Sequence, residues 1–389
     1  MRRSANVVRN IAIGLVAVYV LLFGATRVIH YPEPIAAIRL GLAPASKTPT
    51  LMPSRVIAPA TNPVLWTTGQ ETMPITVNWG GQQIAFHDFL SRTSTNAFLV
   101  LRDGVITYEW YNKSTTAHTR LPSYSVAKTM TSLMIGRLVM EGKIKESDTF
   151  VKYFPQYKTG GSFDKVTIQS LLDMEAGVGV TDNYPTGPSG WGVAIAQMYA
   201  TTDLNFFMEH NRKMSWAPDT KADYRSVDTQ MLGFIINKVA GMTVSDYFSK
   251  IIWQPIGAED SAFWNIDHAG GLEKTFCCFN ATARDYARVG QLILDYGTAK
   301  TVAANVIGTQ WLTRLETPVV TLDHGWGYGA QLWHPFAGTM MMLGLHGQYV
   351  VIQPSTHTVI VKLSDEPTDS GNHEVLTAGV LHDIATTKN

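Results

Sequence analysis

The sequence of 389 residues is poor in cysteine and lacks the residue clusters typical of metal sites. Its two cysteines, Cys277 and Cys278, are adjacent, so they cannot connect distant segments or complete a four-ligand metal site. We interpret them as buried small hydrophobic residues, with a bridge between the two neighbours as the alternative. Because no His-Glu-x-x-His or clustered Cys/His pattern occurs, we expect neither a metal nor another cofactor.

The sequence also lacks an excess of charge of either sign. Lys plus Arg and Asp plus Glu both total 31, which gives a formal net charge of +0 at pH 7. A balanced charge creates no net field that would attract nucleic acid. We therefore expect a small, weakly charged substrate and no nucleic-acid partner. Hydrophobic residues make up 45% of the sequence, which is enough to build the core of one large domain or two closely packed ones.

The amino terminus carries an apolar run without charge over residues 11–25. Arg2, Arg3 and Arg9 precede the run, and Arg27 follows it. The run is shorter than the roughly 20 residues that span a bilayer, although helix tilt and the half-polar flank at residues 26–31 extend it. Residues 1–31 are therefore interpreted as a signal-anchor or a signal peptide.

The possible cleavage site favours an anchor over a removed signal peptide. Gly24 and Ala25 offer only a poor small-residue cleavage site. The positive-inside rule keeps the early arginines in the cytoplasm. We therefore expect a membrane-anchored protein whose main domain is periplasmic or otherwise extracytoplasmic.

The sequence after the apolar run divides into two parts. Prolines are frequent in residues 32–75, where no period of 2 or 3.6 is sustained, and we interpret this segment as a linker and lead-in. Residues 76–389 form the predicted main domain. Within it, β-rich runs at residues 97–101 and 105–111 flank Asp103-Gly104, a sequence typical of a hairpin turn.

Hydrophobic spacing predicts helices in the middle of the domain and strands at its end. The predicted helices cover residues 125–142, 228–240, 244–253 and 281–296. The predicted strands cover residues 329–334, 339–343, 349–353 and 359–363. Strands at both ends with helices between them predict an α+β fold: an antiparallel sheet closed by both ends of the domain, flanked by helices, with a mostly helical subdomain.

Ser125-Val126-Ala127-Lys128 is the strongest local motif. Three-residue spacing on a helix places Ser125 and Lys128 on one face, so the amine can reach the hydroxyl. A lysine can deprotonate a serine if burial lowers the pKa of the amine. The first-turn amide of Ser125 is also available to stabilise an oxyanion. These are candidate catalytic residues, and a helix-capping serine beside a solvated lysine is the alternative.

Two later motifs complete a recognisable pattern: Tyr224-Arg225-Ser226 before the second predicted helix, and Leu345-His346-Gly347-Gln348 before a predicted strand. In this order, the three motifs resemble the serine β-lactamase and penicillin-binding superfamily. The resemblance spans roughly residues 75–385 and points to the class C-like branch of esterases and amidases, notably the 6-aminohexanoate-dimer hydrolases. It implies a serine hydrolase that cleaves an amide or ester bond through an acyl-enzyme intermediate.

The resemblance also implies roles for individual residues. Ser125 matches the family nucleophile and Lys128 the lysine beside it. Tyr224 matches the tyrosine that exchanges a proton with the serine and the leaving group. Ser226 occupies the third position of that motif, which is often Asn, and is a candidate substrate-binding residue. Tyr184 matches a tyrosine on a mobile loop that closes over the substrate in the oligomer hydrolases, with an exposed loop aromatic as the alternative.

The third motif departs from the Lys-Thr-Gly or His-Thr-Gly pattern of the superfamily. Leu345-His346-Gly347 lacks the lysine and hydroxyl that hold a β-lactam carboxylate, so β-lactamase activity is expected to be weak or absent. The second oxyanion donor of the family is a backbone amide at the end of this motif, expected near Gln348. His346 is a candidate substrate contact, and a structural role is its alternative.

A second class of function is consistent with the same fold. The chain could keep the penicillin-binding scaffold as a non-catalytic sensor or scaffold at the membrane, because a fold does not guarantee its chemistry. The combination of Ser125, Lys128 and Tyr224 favours the enzyme. The sequence does not indicate an oligomeric state.

Overall fold

The computed structural model describes residues 2–183, 194–295, 298–299, 304–367 and 371–387. Its first helix, α1 (Arg2–Val28), contains the apolar stretch Asn6–Val28, which is long and apolar enough to cross a membrane and has none of its most apolar window buried. This length and composition fit either a membrane anchor or an export signal.

The helices predicted from hydrophobic spacing are confirmed. They correspond to the observed helices Val126–Met140, Ser226–Ala240, Val244–Phe248 and Ala283–Leu294, and a π-helical turn over Ser249–Trp253 continues the third of these. After α1, the α-helices are α2 (Pro34–Leu42), α3 (Phe86–Arg92), α4 (Val126–Met140), α5 (Phe150–Tyr153), α6 (Ile168–Leu172), α7 (Ala194–Ala200), α8 (Leu204–His210), α9 (Ser226–Ala240), α10 (Val244–Phe248), α11 (Ala283–Leu294), α12 (Thr309–Glu316) and α13 (His373–Thr386).

The strands form one large sheet and three small ones in the described part of the chain. The order in the large sheet is β12-β13-β14-β15-β16-β17-β5-β6-β2, antiparallel throughout except for the β2–β6 pair. The strands are β1 (Ser54–Ile57), β2 (Thr67–Thr68), β3 (Thr76–Trp79), β4 (Gln82–Ala85), β5 (Thr95–Arg102), β6 (Val105–Tyr111), β7 (Leu121–Pro122), β8 (Ala262–Asn265), β9 (Phe279–Ala281), β10 (Thr298–Ala299), β11 (Ala304–Asn305), β12 (Val320–Thr321), β13 (Gly327–Gly329), β14 (Leu332–Phe336), β15 (Thr339–Gly344), β16 (Gln348–Gln353) and β17 (Thr358–Ser364).

The predicted hairpin and the closure of the sheet by both ends of the domain are confirmed. Strands β5 and β6 meet at a turn in which Asp103 and Gly104 have φ values of 50° and 77°, the left-handed conformation that a tight two-residue turn requires. On its other side, β5 pairs with β17, with Val100 opposite Ile360. These pairings and the helices around them confirm the predicted α+β fold.

The large sheet is buried on both faces. Along β5, Ala97, Leu99 and Leu101 enter one apolar cluster, whereas Phe98 and Val100 enter the other. Helices α4 and α11 contribute to the first cluster, and α3 and α13 to the second. Burying an aliphatic or aromatic side chain of this kind contributes about 1.5–3 kcal/mol each. The first cluster holds α4, and with it Ser125, against the sheet.

The proline-rich segment at residues 32–75 contains more regular structure than its sequence indicates. Helix α2 begins where Glu33 accepts hydrogen bonds from Ile35 and Ala36, with Pro34 in its first turn. Strand β1 pairs with β8, and Ile57 is fully buried. The second half of the lead-in is therefore packed on the main domain.

Cys277 and Cys278 are both buried and joined by a disulfide, which was the alternative considered for these residues. Their Cα atoms are 3.8 Å apart, and Cys278 has a φ of 69°. The pair directly follows Phe276, whose backbone carbonyl faces the candidate active site.

Candidate active site

Ser125 stands at the amino end of α4, where the predicted motif places it. Its hydroxyl makes no capping hydrogen bond to the helix, so the capping alternative is wrong. The preceding residue, Tyr124, has a φ of 42°, a conformation that few residues other than glycine adopt. Ser125 itself is half-buried and lines a cavity.

Lys128 is fully enclosed beside Ser125. Its Nζ atom lies 2.9 Å from Ser125 Oγ, 2.9 Å from Ser226 Oγ and 2.9 Å from the carbonyl oxygen of Phe276. Only 1% of Lys128 is exposed, so the alternative of a solvated lysine is wrong. Burial lowers the pKa of Lys128 to about 8, against the opposing effects of the carboxylates of Asp182 and Asp228.

Tyr224 lies two residues before the start of α9 and completes the group around Ser125. Its ring stacks on Trp333 at a centroid distance of 5.3 Å, and Lys128 Nζ lies 5.0 Å from its centroid. The Tyr224 and Ser125 side chains both line the cavity. Burial raises the pKa of Tyr224 well above its usual value, so its phenol is neutral near pH 7. Of these two groups, Lys128 is the one that titrates near physiological pH.

Ser226 is anchored by a residue outside the predicted motifs, Asp182. One carboxylate oxygen of Asp182 accepts from the Ser226 backbone amide at 2.8 Å, and the other accepts from Ser226 Oγ at 2.5 Å. No sequence motif points to Asp182, because its 44-residue separation from Ser226 is bridged only by the folded chain.

The cavity beside Ser125 has a volume of about 540 Å³. Among the described residues that line it, four are carboxylates and none is Lys, Arg or His. Tyr224, Trp333, Leu343 and Leu345 form its apolar and aromatic side. The full lining set is Ser125, Thr181, Asp182, Asn183, Asp223, Tyr224, Asp323, Trp333, Leu343, Leu345 and Glu374.

The third motif reaches the cavity through its first residue. Leu345 lines the cavity, and Gly344 packs against the start of α4. The ring of His346 lies 4.8 Å from that of Tyr124, its Nδ1 lies 2.7 Å from the Glu366 carbonyl oxygen, and burial lowers its pKa. His346 therefore packs behind the cavity wall.

Gln348 is also placed behind this wall. It is fully buried, and its side-chain amide donates to the carbonyl groups of Leu345, His346 and Ser364. Gln348 thus braces the turn that presents Leu345 to the cavity. Tyr184, the remaining predicted site residue, lies outside the described residues. In the part of the chain that the structure describes, no group of three or more His, Cys, Asp or Glu is arranged to hold a metal ion.

Comparisons with known proteins agree with this fold. The chain is 27% identical over 319 residues to the 6-aminohexanoate-dimer hydrolase of Paenarthrobacter ureafaciens, covering 76% of this chain and 79% of that protein. A solved structure from Bacillus anthracis with the provisional name 6-aminohexanoate-dimer hydrolase superposes with a TM-score of 0.77 at 23% identity, covering 91% and 94% of the two chains.

A more distant solved structure shares the same architecture. The octameric penicillin-binding protein homologue from Pyrococcus abyssi superposes with a TM-score of 0.60 at 17% identity, covering 76% of this chain and 75% of that one. The sequence matches the Beta-lactamase family over residues 88–382, which include Ser125, Lys128 and Tyr224. The chain is therefore a member of the Beta-lactamase family, a family of hydrolase type.

Proposed function

We propose that this protein is a serine hydrolase that cleaves an amide or ester bond through an acyl-enzyme intermediate, with Ser125 as the nucleophile. The observation that supports this most directly is the 2.9 Å contact between Lys128 Nζ and Ser125 Oγ. A buried amine with a lowered pKa can accept the serine proton at a pH where a solvated lysine cannot.

Acylation begins when neutral Lys128 takes the proton of Ser125 and Oγ forms a bond to the substrate carbonyl carbon. The carbonyl electron pair moves onto oxygen. The backbone amide of Ser125 donates to this oxyanion. The second donor, which the third motif predicts near Gln348, is assigned instead to the end of β15 at Gly344 and Leu345, because this segment adjoins Ser125 at the cavity. Gln348, braced behind the wall, supports that segment from outside the cavity.

Tyr224 completes the proton path. Its neutral phenol protonates the departing nitrogen or oxygen as the bond to the acyl carbon breaks, and protonated Lys128 returns a proton to the phenolate. The neutral Lys128 that results takes a proton from a water molecule, which attacks the acyl carbon. Breaking the bond to Ser125 Oγ then releases the acid, and the proton held by Lys128 returns to the serine.

The lining of the cavity supports an amide or ester substrate that bears a positive charge. Asp223, Asp323 and Glu374 line the cavity beyond Ser125, while Trp333 and Leu345 supply apolar contact. Of these acidic residues, Asp223 also contacts Arg225 and Glu374 contacts His324. A linear amide of 6-aminohexanoate carries an ammonium group on a flexible methylene chain, which matches both features. We therefore propose a 6-aminohexanoate-oligomer-like amide, or an ester of similar shape, as the substrate class.

A fluorophosphonate probe tests the proposed nucleophile, because only an activated serine is labelled. Wild type is expected to be labelled and to hydrolyse p-nitrophenyl butyrate, and Ser125→Ala is expected to do neither while keeping its melting temperature. Ser132→Ala, on the same helix and fully buried, is the matched control. An unlabelled wild type, or more than a few per cent of activity in Ser125→Ala, would refute the proposal and favour the non-catalytic scaffold.

We further propose that α1 anchors the protein in a membrane, with the catalytic domain outside the cytoplasm. Arg2, Arg3 and Arg9 precede the uncharged run at residues 11–25 of this helix and support a cytoplasmic amino terminus. Alkaline phosphatase fused after residue 389 is expected to be active in a bacterial host, and green fluorescent protein at the same position to be dark. The opposite pattern would contradict this orientation.

A further inference from the structure

We infer that Asp182 is a positioning residue of this site: through the hydroxyl of Ser226, it orients the amine of Lys128 so that its lone pair faces Ser125. The inference rests on the proposed serine mechanism. It adds to that mechanism a residue that belongs to none of the three sequence motifs.

The first step concerns the direction of the Ser226 hydroxyl. A carboxylate can only accept hydrogen bonds, and the two oxygens of Asp182 accept from the backbone amide and the hydroxyl of Ser226. The hydroxyl has one hydrogen, and the 2.5 Å contact places it towards Asp182. Ser226 Oγ therefore presents lone pairs, and no proton, to Lys128 Nζ.

The second step concerns the orientation of Lys128. Its Nζ faces three groups at 2.9 Å: Ser226 Oγ, the Phe276 carbonyl and Ser125 Oγ. The carbonyl oxygen can only accept hydrogen bonds. Because the hydroxyl proton of Ser226 points towards Asp182, Ser226 Oγ can also only accept a hydrogen bond from Lys128. A neutral amine has two N–H groups and one lone pair. When both N–H groups serve these two acceptors, the lone pair is left facing Ser125, the one neighbour with a proton to give.

The third step is what happens when Asp182 becomes Asn. The retained amide oxygen can still accept from the Ser226 backbone, so the start of α9 is preserved. The new NH₂ group, however, donates to Ser226 Oγ and turns its proton towards Lys128. Ser226 then competes for the lone pair that Ser125 needs.

The charge of Asp182 provides a second, independent readout. Among the described residues, the titratable groups that interact with Lys128 are Asp182, Asp228 and Tyr224. Of the two carboxyl groups that raise the pKa of Lys128, Asp182 has the larger effect. Its replacement by the uncharged Asn is therefore expected to lower that pKa.

The test is the pH dependence of kcat for ester hydrolysis in wild type, Asp182→Asn and Asp88→Asn, the last removing an exposed charge on α3 as a control. Asp182→Asn is expected to lower the plateau kcat by about 10²-fold, the scale of a general base that is present but misdirected, with little change in KM. The acidic limb of the pH profile of Asp182→Asn is expected to move to lower pH. Asp88→Asn is expected to match wild type in both respects.

A double-mutant comparison tests whether Asp182 acts through Ser226. Ser226→Ala removes the hydroxyl, and adding Asp182→Asn to it is expected to cause no further loss of plateau kcat. Multiplying losses in the double variant would overturn the inference, as would an unchanged plateau and limb in Asp182→Asn. Fluorophosphonate labelling of wild type distinguishes a failure of the inference about Asp182 from a failure of the serine mechanism. If wild type is labelled and Asp182→Asn behaves like wild type, only the inference about Asp182 fails. An unlabelled wild type refutes the serine mechanism as well.

Discussion

Gly344 and Ser125 are in such close contact that a Cβ atom added to Gly344 would lie 3.1 Å from the amide nitrogen of Ser125 and 2.3 Å from the carbonyl oxygen of Ser123. Both neighbours are backbone atoms, which cannot rotate away. We predict that Gly344→Ala pushes the end of β15 away from α4 and lowers kcat by about 10²–10³-fold, the scale of one lost oxyanion donor. Steady-state kinetics with p-nitrophenyl butyrate measure this loss.

Gly379→Ala is the matched control for this prediction. A Cβ atom at Gly379 meets nothing within 4 Å, and the residue lies inside α13, where alanine is favoured over glycine. Its activity is expected to equal that of wild type. A Gly344→Ala variant with wild-type kcat would show that this contact is not part of the site.

The pKa of Lys128 sets the expected pH profile. Burial lowers that pKa to about 8, and the proposed base is the neutral amine, so protonation below this pH removes activity. We predict that kcat rises about tenfold per pH unit below the pKa and levels off above about pH 8. In Lys128→Met, the rate is expected to fall by about 10²–10⁴-fold and to lose this limb. A profile that declines between pH 7 and 9 would contradict the assignment of Lys128 as the base.

The carboxylates of the cavity predict a preference for cationic substrates. We expect wild type to hydrolyse 6-aminohexanoyl p-nitroanilide faster than hexanoyl p-nitroanilide, and the ratio of their kcat/KM values to fall in Asp323→Asn/Glu374→Gln. Each partly exposed charge contributes about 0.2–1 kcal/mol, so the double variant should lose a factor of about 2 to 30 in this ratio. Added salt should reduce the wild-type ratio as well.

Glu209→Gln removes one exposed negative charge outside the cavity and serves as the control for this comparison. Its ratio of the two kcat/KM values should equal that of wild type. Equal rates for both anilides in wild type would argue against a cationic substrate while leaving the serine mechanism intact.

The surroundings of His346 sharpen the expectation of weak β-lactamase activity. A protonated His346 could replace the lysine missing from the third motif, but burial lowers its pKa and its Nδ1 faces a backbone carbonyl. A charge-assisted hydrogen bond to the β-lactam carboxylate contributes about 1.5–3 kcal/mol. Without it, the rate of nitrocefin hydrolysis should be about one to two decades lower than in a site that contains the lysine. His346→Ala is expected to leave this slow rate unchanged. Efficient nitrocefin turnover that disappears in His346→Ala would contradict this prediction.

The parts of the fold that follow from local sequence were predictable. Helices α4 and α9 and strands β15 to β17 have the periodicity of their class, and Asp103-Gly104 specifies its turn. Helix α2 was not predicted because it lies among prolines, and α13 was not predicted because the β-rich runs before it indicated that the domain ends in strands. The domain boundary at residue 75 stays a prediction.

The candidate site was predictable only where a motif carries it. Ser125 and Lys128 are one helical turn apart, so their contact follows from local geometry. The approach of Tyr224 came from a family resemblance, since nothing in its sequence neighbourhood points to Ser125. Neither local geometry nor the family resemblance pointed to Asp182. The roles of Ser226 and Tyr184 stay predictions.

The pairing of β5 with β17 affects how the protein folds during its synthesis. Residues 95–102 hydrogen-bond with residues 358–364, so the centre of the sheet joins segments near the two ends of the family match at residues 88–382. Closing such a long loop is entropically costly and slow. On a ribosome or during export, β5 stays unpaired along that edge until nearly the whole chain has emerged. Truncation before residue 358 should therefore abolish activity, and the nascent chain is the form most exposed to proteolysis and aggregation.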